Sequence, residues 1–152
     1  MNIQFIPNGA KDINDVINVH TYMTQVMKYA RGRSSFAENR QKCTMLGRCQ
    51  NCKGLAPVDA HHIKPIWAFA LEYLLNSGAQ TQKAFSFAAV WTIRMYNVDQ
   101  WHTLPNLMPL CSGCHQWVQS QADQEWQRYF EQNYPVVFGR RNLDEVLRRL
   151  NS

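Results

Sequence analysis

Along residues 12–30, DINDVINVHTYMTQVMKYA, apolar side chains recur at Ile13, Val16, Ile17, Met23 and Met27, with His20 on the same stripe. That spacing predicts a helix with one buried face, with Asp12 as its N-cap and His20 packed rather than ligating. The stretch that follows, RGRSSFAENRQK (31–42), loses the pattern and reads as a basic, flexible connector. VDAHHIKP (58–65) reads as a short strand. Residues 66–76 and 82–97 return to helical spacing, the first with Trp67, Leu71, Leu74 and Leu75 along one face. TLPNLMPLC (103–111) is a second strand or extended piece, marked as an edge by Pro105 and Pro109. Residues 112–134, SGCHQWVQSQADQEWQRYFEQNY, predict a long helix capped by Ser112, with Trp117, Trp126 and Phe130 as apolar contacts and Tyr134-Pro135 as its end. NLDEVLRRLNS (142–152) is a final helix whose apolar side is Leu143, Val146, Leu147 and Leu150. The order in the middle of the chain is therefore strand, insert, strand, helix, and the fold class is α+β.

A chain of 152 residues with 45% hydrophobic and 12% aromatic residues is expected to form one globular domain, spanning 1–152. The opening MNIQFIPNGAKD lacks the basic start and apolar run of a signal peptide, and the apolar stretches PIWAFALEYLL and AFSFAAVWTI are too short to span a bilayer. A soluble, cytoplasmic protein with no membrane partner is expected. The charge changes the picture further. Of a net +5, residues 28–64 carry +6 through Lys28, Arg31, Arg33, Arg40, Lys42, Arg48, Lys53 and Lys64 against Glu38 and Asp59. So local an excess, running into the histidine pair, predicts a polyanionic partner rather than only a solvated face.

Four of the five cysteines form two Cys-x-x-Cys pairs, Cys49/Cys52 and Cys111/Cys114, and Cys43 stands alone as a small buried hydrophobe. In a reduced compartment this is the ligand set of a four-thiolate structural zinc site. The 58 residues between the pairs are far more than in a zinc ribbon. Because closure entropy grows logarithmically, widening such a gap from 18 to 58 residues costs roughly 1 kcal/mol, against about 10 kcal/mol or more from structural zinc. A redox pair is the competing reading, but such a motif belongs at a helix start after a strand, and residues 45–55 do not read that way.

His61 and His62 are neighbours on a strand, so their side chains point to opposite faces and serve different tasks. His115 follows Cys114 in the first turn of the long predicted helix. A zinc ion shared by the two cysteine pairs would bring the strand bearing His61 and His62 close to that helix. Three imidazoles would then converge at a helix N-terminus, where amide groups favour phosphate, and imidazole also suits divalent transition metals.

Taken together, CQNC, DAHHIKP and NLMPLCSGCH resemble the zinc-knuckle variant of the HNH (ββα-metal) endonucleases over about residues 47–120. The resemblance implies a ββα-metal core braced by the four-cysteine site, with a helical insert at about 66–104. Residues 1–46 would be an N-terminal helix and connector, and 121–152 C-terminal helices. It implies His61 and His115 as ligands of one catalytic divalent ion (Mg²⁺, Mn²⁺, Ni²⁺, Co²⁺ or Zn²⁺), His62 as general base, and Asn106 as the brace of the loop. DNA is the implied partner, in a bacterial or phage-infected cell, with hydrolysis leaving 5′-phosphate and 3′-hydroxyl ends. Arg31, Arg33, Arg40, Lys42, Arg48, Lys53 and Lys64 are the candidate contacts to the nucleic acid. The chain departs from compact relatives in its insert, since His62 and Asn106 lie 44 positions apart. It also has Gln119 where some relatives carry a further histidine. His102, close to Asn106, could substitute as a ligand, but reads rather as structural or as a phosphate contact. The alternative function is a non-catalytic, zinc-stabilised nucleic-acid-binding module.

Overall fold

Helix formation follows the apolar stripe at the N-terminus and a different logic immediately after it. A computed structural model describes residues 10–11, 16–45, 47–55, 57–76, 85–86, 98–134 and 140–150. Helix α1 (Val16–Arg31) buries Met23, Val26, Met27 and Ala30, spaced three and four apart. His20 is half-buried, with Nε2 3.4 Å from Thr24 Oγ1 one turn on. Asp12 lies outside the described residues.

The basic stretch expected to be a flexible connector is instead helix α2 (Ser34–Thr44). Its apolar residues are too few to give a periodic signal, and polar contacts hold it in place. Arg33, just before it, pairs with Asp99 at 3.0 Å, and Ser35 Oγ donates to the same carboxylate at 2.6 Å. Asn39 donates to the His102 carbonyl at 2.7 Å, and Arg40 pairs with Asp59 at 2.9 Å. The partners lie on a 3₁₀ turn (Val98–His102) and on strand β2 (Val58–His62), both distant in sequence.

Helix α3 (Ile66–Asn76) starts at Pro65, whose carbonyl accepts from the Ala68 and Phe69 amides. Ile66, Trp67, Ala68, Ala70, Leu71 and Leu75 are all buried, so this helix supplies six residues to the main core from several sides of its surface. Around it pack α1, Val98 and Trp101 of the 3₁₀ turn, Phe130 of α4 (Ser112–Asn133), and Leu143, Val146 and Leu147 of α5 (Arg140–Leu150). The second helix expected in the insert, over 82–97, is not found at Phe85–Ser86. These form a short strand, β3, paired antiparallel with β1 (Ala10–Lys11). The rest of that span lies outside the described residues.

The unit that positions the site is β2, β4 (Leu107–Cys111) and α4. β2 and β4 are antiparallel with Val58 opposite Cys111, His61 opposite Met108 and His62 opposite Leu107. A 3₁₀ turn, Leu104–Asn106, leads into β4. Ala60 meets Cys43 of α2 and Leu107 in a small second core. Cys43 is thus buried, as its isolation in the sequence predicts. Helix α4 begins directly after β4, with Cys111 rather than Ser112 in the N-cap position and no side-chain cap bond. At 22 residues it is about 33 Å long. Only Phe130 is fully buried on it; Trp126 packs partly, while Trp117, expected to be an apolar contact, is 61% exposed. The chain is therefore α+β, and among the described residues no helix is long and apolar enough to cross a membrane.

Candidate functional site

Residues 47–55 fold as a knuckle around the first cysteine pair. The Cys49 amide donates to the Gly54 carbonyl at 3.1 Å and the Lys53 amide to the Cys49 carbonyl at 2.9 Å. Gly47 takes φ +63°, the left-handed region that glycine enters freely. Lys53 also takes φ 63°, so a non-glycine residue bears the turn beside Gly54. A Cβ on Gly54 would press against Cys52 Sγ at 3.3 Å. The Gln50 amide donates to the Pro109 carbonyl at 2.8 Å, docking the knuckle on β4.

That docking brings the two pairs together. The sulfur atoms of Cys49, Cys52, Cys111 and Cys114 all lie within 4.8 Å of one another, and Cys52 Sγ is 3.8 Å from Cys111 Sγ. Four sulfurs at 2.3 Å from a tetrahedral zinc would stand about 3.8 Å apart, so this geometry can hold a structural metal ion such as zinc. Hydrogen bonds prepare the thiols unevenly. The Cys52 amide, at 3.5 Å, and the Cys111 amide draw Cys49 down to about 6. At Cys114 the Asn51 amide lowers the pKa, but the thiols of Cys111, Cys49 and Cys52 push it up to about 11. Thiols crowded this closely compete for protons that a cation would replace.

The histidines divide between two faces of β2 as their adjacency predicts. His61 is buried and faces α4, its ring centroid 5.1 Å from that of His115. Its Nδ1 is buried without a hydrogen-bond partner. Such an atom costs about 1–3 kcal/mol and calls for a ligand or other partner. His62 faces α2, its ring 5.1 Å from Phe36, and its Nε2 lies 2.9 Å from His102 Nδ1. Burial, then the neighbouring His115, lowers His61 to about 4. Burial, then His102, lowers His62 to about 3.

Asn106 closes the strand–insert junction. Its Oδ1 accepts from the Lys64 amide at 2.8 Å, and its Nδ2 donates to the carbonyls of Lys64 (3.2 Å) and Trp101 (3.0 Å). Its own carbonyl accepts from the Ile63 amide at 2.8 Å, so side chain and backbone together fix the exit of β2.

A cavity of about 230 Å³ is lined by His62, His115, Gln119, Asp123, Arg31 and Phe36 among others. A second, of about 530 Å³, is also lined by His115 and includes Arg40, Asp59 and Gln116. Of the candidate basic residues, Arg31 and Arg40 therefore reach cavities next to His115. Lys42, Arg48 and Lys53 are exposed. Arg33 is bound to Asp99, and Arg40 also pairs with Asp59. Lys64 pairs with Glu72 at 2.8 Å and sits over the rings of Phe69 and Trp126, turned inward.

Sequence reasoning missed Asp123, Phe36 and the place of His102. Asp123 Oδ1 accepts from Trp67 Nε1 at 2.7 Å and Gln119 Nε2 at 2.9 Å. The steps of four from His115 to Gln119 and on to Asp123 were a signal available in the sequence. The neighbours of His102 were not, because they come from α2. Among the described residues the four cysteines are the one group of three or more His, Cys, Asp or Glu donors close enough to hold a metal; no third such donor joins His61 and His115. Comparison of the chain with family models, curated proteins and solved structures returns no match.

Two predictions follow from this geometry. Cys111→Ser should cost the protein its bound metal and lower its thermal unfolding temperature; elemental analysis beside a melting curve checks both, and wild-type metal content and stability would exclude the cluster. Because burial lowers both imidazoles, His61 and His62 should stay neutral as pH falls from 8 to 5 in protein without added divalent ions. Their ring-proton NMR shifts should be flat across that range, and an inflection near 6.5 at either residue would contradict the geometry.

Proposed function

We propose that the protein is an HNH-type (ββα-metal) endonuclease that hydrolyses phosphodiester bonds in DNA, with a structural zinc ion in the four-cysteine cluster. The observation that carries this reading is the buried His61 ring, its Nδ1 unpartnered and its centroid 5.1 Å from that of His115, on the strand whose next residue is a neutral histidine at a cavity. The order strand, strand, helix and the hydrogen bonds of Asn106 across the junction support the reading.

In this reading His61 and His115 would hold one divalent ion. When bound, that ion supplies Lewis-acid stabilisation to the scissile phosphate and its leaving oxygen. His62, neutral at physiological pH, accepts a proton from the attacking water. Burial keeps it neutral in the free protein, and an anionic phosphodiester beside it would raise its proton affinity while a divalent ion would oppose that rise. Asn106 holds the end of β2 so that His62 stays in place. Arg31 and Arg40, at the two cavities lined by His115, are placed to receive phosphates, and Lys42, Arg48 and Lys53 extend the basic surface along α2 and the knuckle.

One observation favours the second reading, a non-catalytic zinc-stabilised module that binds nucleic acid: among the described residues no third His, Cys, Asp or Glu donor joins His61 and His115. Plasmid cleavage measured against divalent-metal concentration separates the two. His62→Ala should keep its metals and its DNA affinity and lose about 10²–10⁴-fold in rate. His61→Ala and His115→Ala should instead lose activity that added metal partly recovers. Wild-type rates from His62→Ala would overturn the assignment of roles, and a wild-type protein inert with every metal would favour the binding module. The basic surface has its own test. Arg31→Glu, Lys42→Glu and Lys53→Glu together should flatten the dependence of log affinity on log salt by roughly 0.9 for each phosphate contact removed. An unchanged slope would place the nucleic acid elsewhere.

A further inference from the structure

His102 is buried completely, outside every motif, yet it touches the proposed base. Its Nε2 lies 2.8 Å from the carbonyl oxygen of Ala30 at the end of α1. A carbonyl only accepts, so Nε2 of His102 carries the proton. Burial lowers the affinity of this ring for a second proton, against the Ala30 carbonyl and Asp99, which raise it; with one proton, held at Nε2 by that carbonyl, the ring is neutral. Its Nδ1 is therefore a lone pair. The 2.9 Å contact between that atom and His62 Nε2 then requires the hydrogen to sit on His62 Nε2. In a neutral His62 this leaves Nδ1 as the basic atom.

We propose that His102 is a positioning residue that fixes the tautomer and orientation of His62, so that His62 Nδ1 is the atom that takes the proton from water. The inference rests on the nuclease reading above for its chemistry, and on the chain Ala30, His102, His62 for its geometry. The surroundings make that chain rigid. Phe36 stacks on His102 with centroids 4.7 Å apart and rings inclined by 26°, while also leaning on His62. Asn39, one turn along α2, holds the His102 carbonyl at 2.7 Å. A histidine left to rotate would spend part of its time with Nδ1 protonated and unable to act as base. A single buried acceptor at Nε2 removes that state, as outer contacts do for metal-bound histidines.

The test combines a spectroscopic readout with a pair of substitutions in the full chain. Long-range ¹H–¹⁵N NMR of the wild-type protein should show His62 protonated at Nε2; protonation at Nδ1 would overturn the proposal whatever the activity. His102→Leu removes the acceptor, whereas His102→Asn places an amide oxygen on Cγ, where Nδ1 stood. The Ala30 carbonyl keeps the Arg33 amide at 3.3 Å in either variant. His102→Leu should convert His62 to a mixture of tautomers and slow single-turnover cleavage about 10–100-fold, the usual range for outer-shell contacts, without changing the metal concentration for half-maximal rate. His102→Asn should restore the single tautomer and much of the rate. Equal losses in both variants, or an unaltered tautomer in His102→Leu, would reduce His102 to a packing residue. Should both variants fail to fold, the wild-type tautomer decides. Should the wild-type protein cut no DNA, the nuclease reading fails while the tautomer measurement still judges the geometry.

Discussion

Everything at the site depends on two short cysteine motifs, separated by 58 residues, meeting at one point. The first pair lies in a knuckle docked on β4 through Gln50 and Pro109; the second spans the junction of β4 and α4. Their meeting fixes where α4 leaves the sheet, and hence where His115 stands. The β2–β4 register, with Val58 opposite Cys111, places His61 and His62 at the far end of the strand pair. Few apolar residues support this region. Among the described residues Ala60, Leu107 and Cys43 form a small buried cluster here, with Leu110 and Cys49 also buried, while the larger core lies among the helices. A bound metal ion would supply the stability that so small a core lacks.

The long insert is the second constraint. It begins at Lys64 and returns through the 3₁₀ turn at Val98–His102, and Asn106 ties both ends together. Helix α3, inside the insert, supplies six residues to the main core, so the insert is structural rather than a loop added to a finished domain. Its return turn also carries His102 to His62 and Asp99 to Arg33, which links α2, the turn and β2 by polar contacts. The burial that keeps His62 neutral comes from this packing.

The parts of the fold with strong apolar periodicity were legible in the sequence: α1, α3, α4 and α5 lie close to their expected spans. So were the two strands around the histidine pair and the meeting of the four cysteines, because metal-ligand spacing is a local pattern. Helix α2 was not legible. It carries little beyond Phe36 and Cys43 to bury, and Arg33, Ser35, Asn39 and Arg40 hold it through partners up to 66 positions away. For the same reason the charge count overstated the free basic surface, since Arg33 and Lys64 are engaged by Asp99 and Glu72. Trp117 shows the opposite failure. Its size reads as a core contact, but on a helix buried only toward its C-terminal half it faces solvent.

The central claim is that the two cysteine pairs hold one zinc ion between them and so build the histidine site. X-ray absorption at the zinc edge of protein carrying one zinc ion per chain, with no further divalent ion added, decides it. A single shell of four sulfur scatterers at about 2.3 Å is expected, with no nitrogen or oxygen in that shell. A shell containing nitrogen at about 2.0–2.1 Å would mean that histidine replaces a cysteine at the metal, and zinc bound by two sulfurs or none would contradict the clamp on which the site depends.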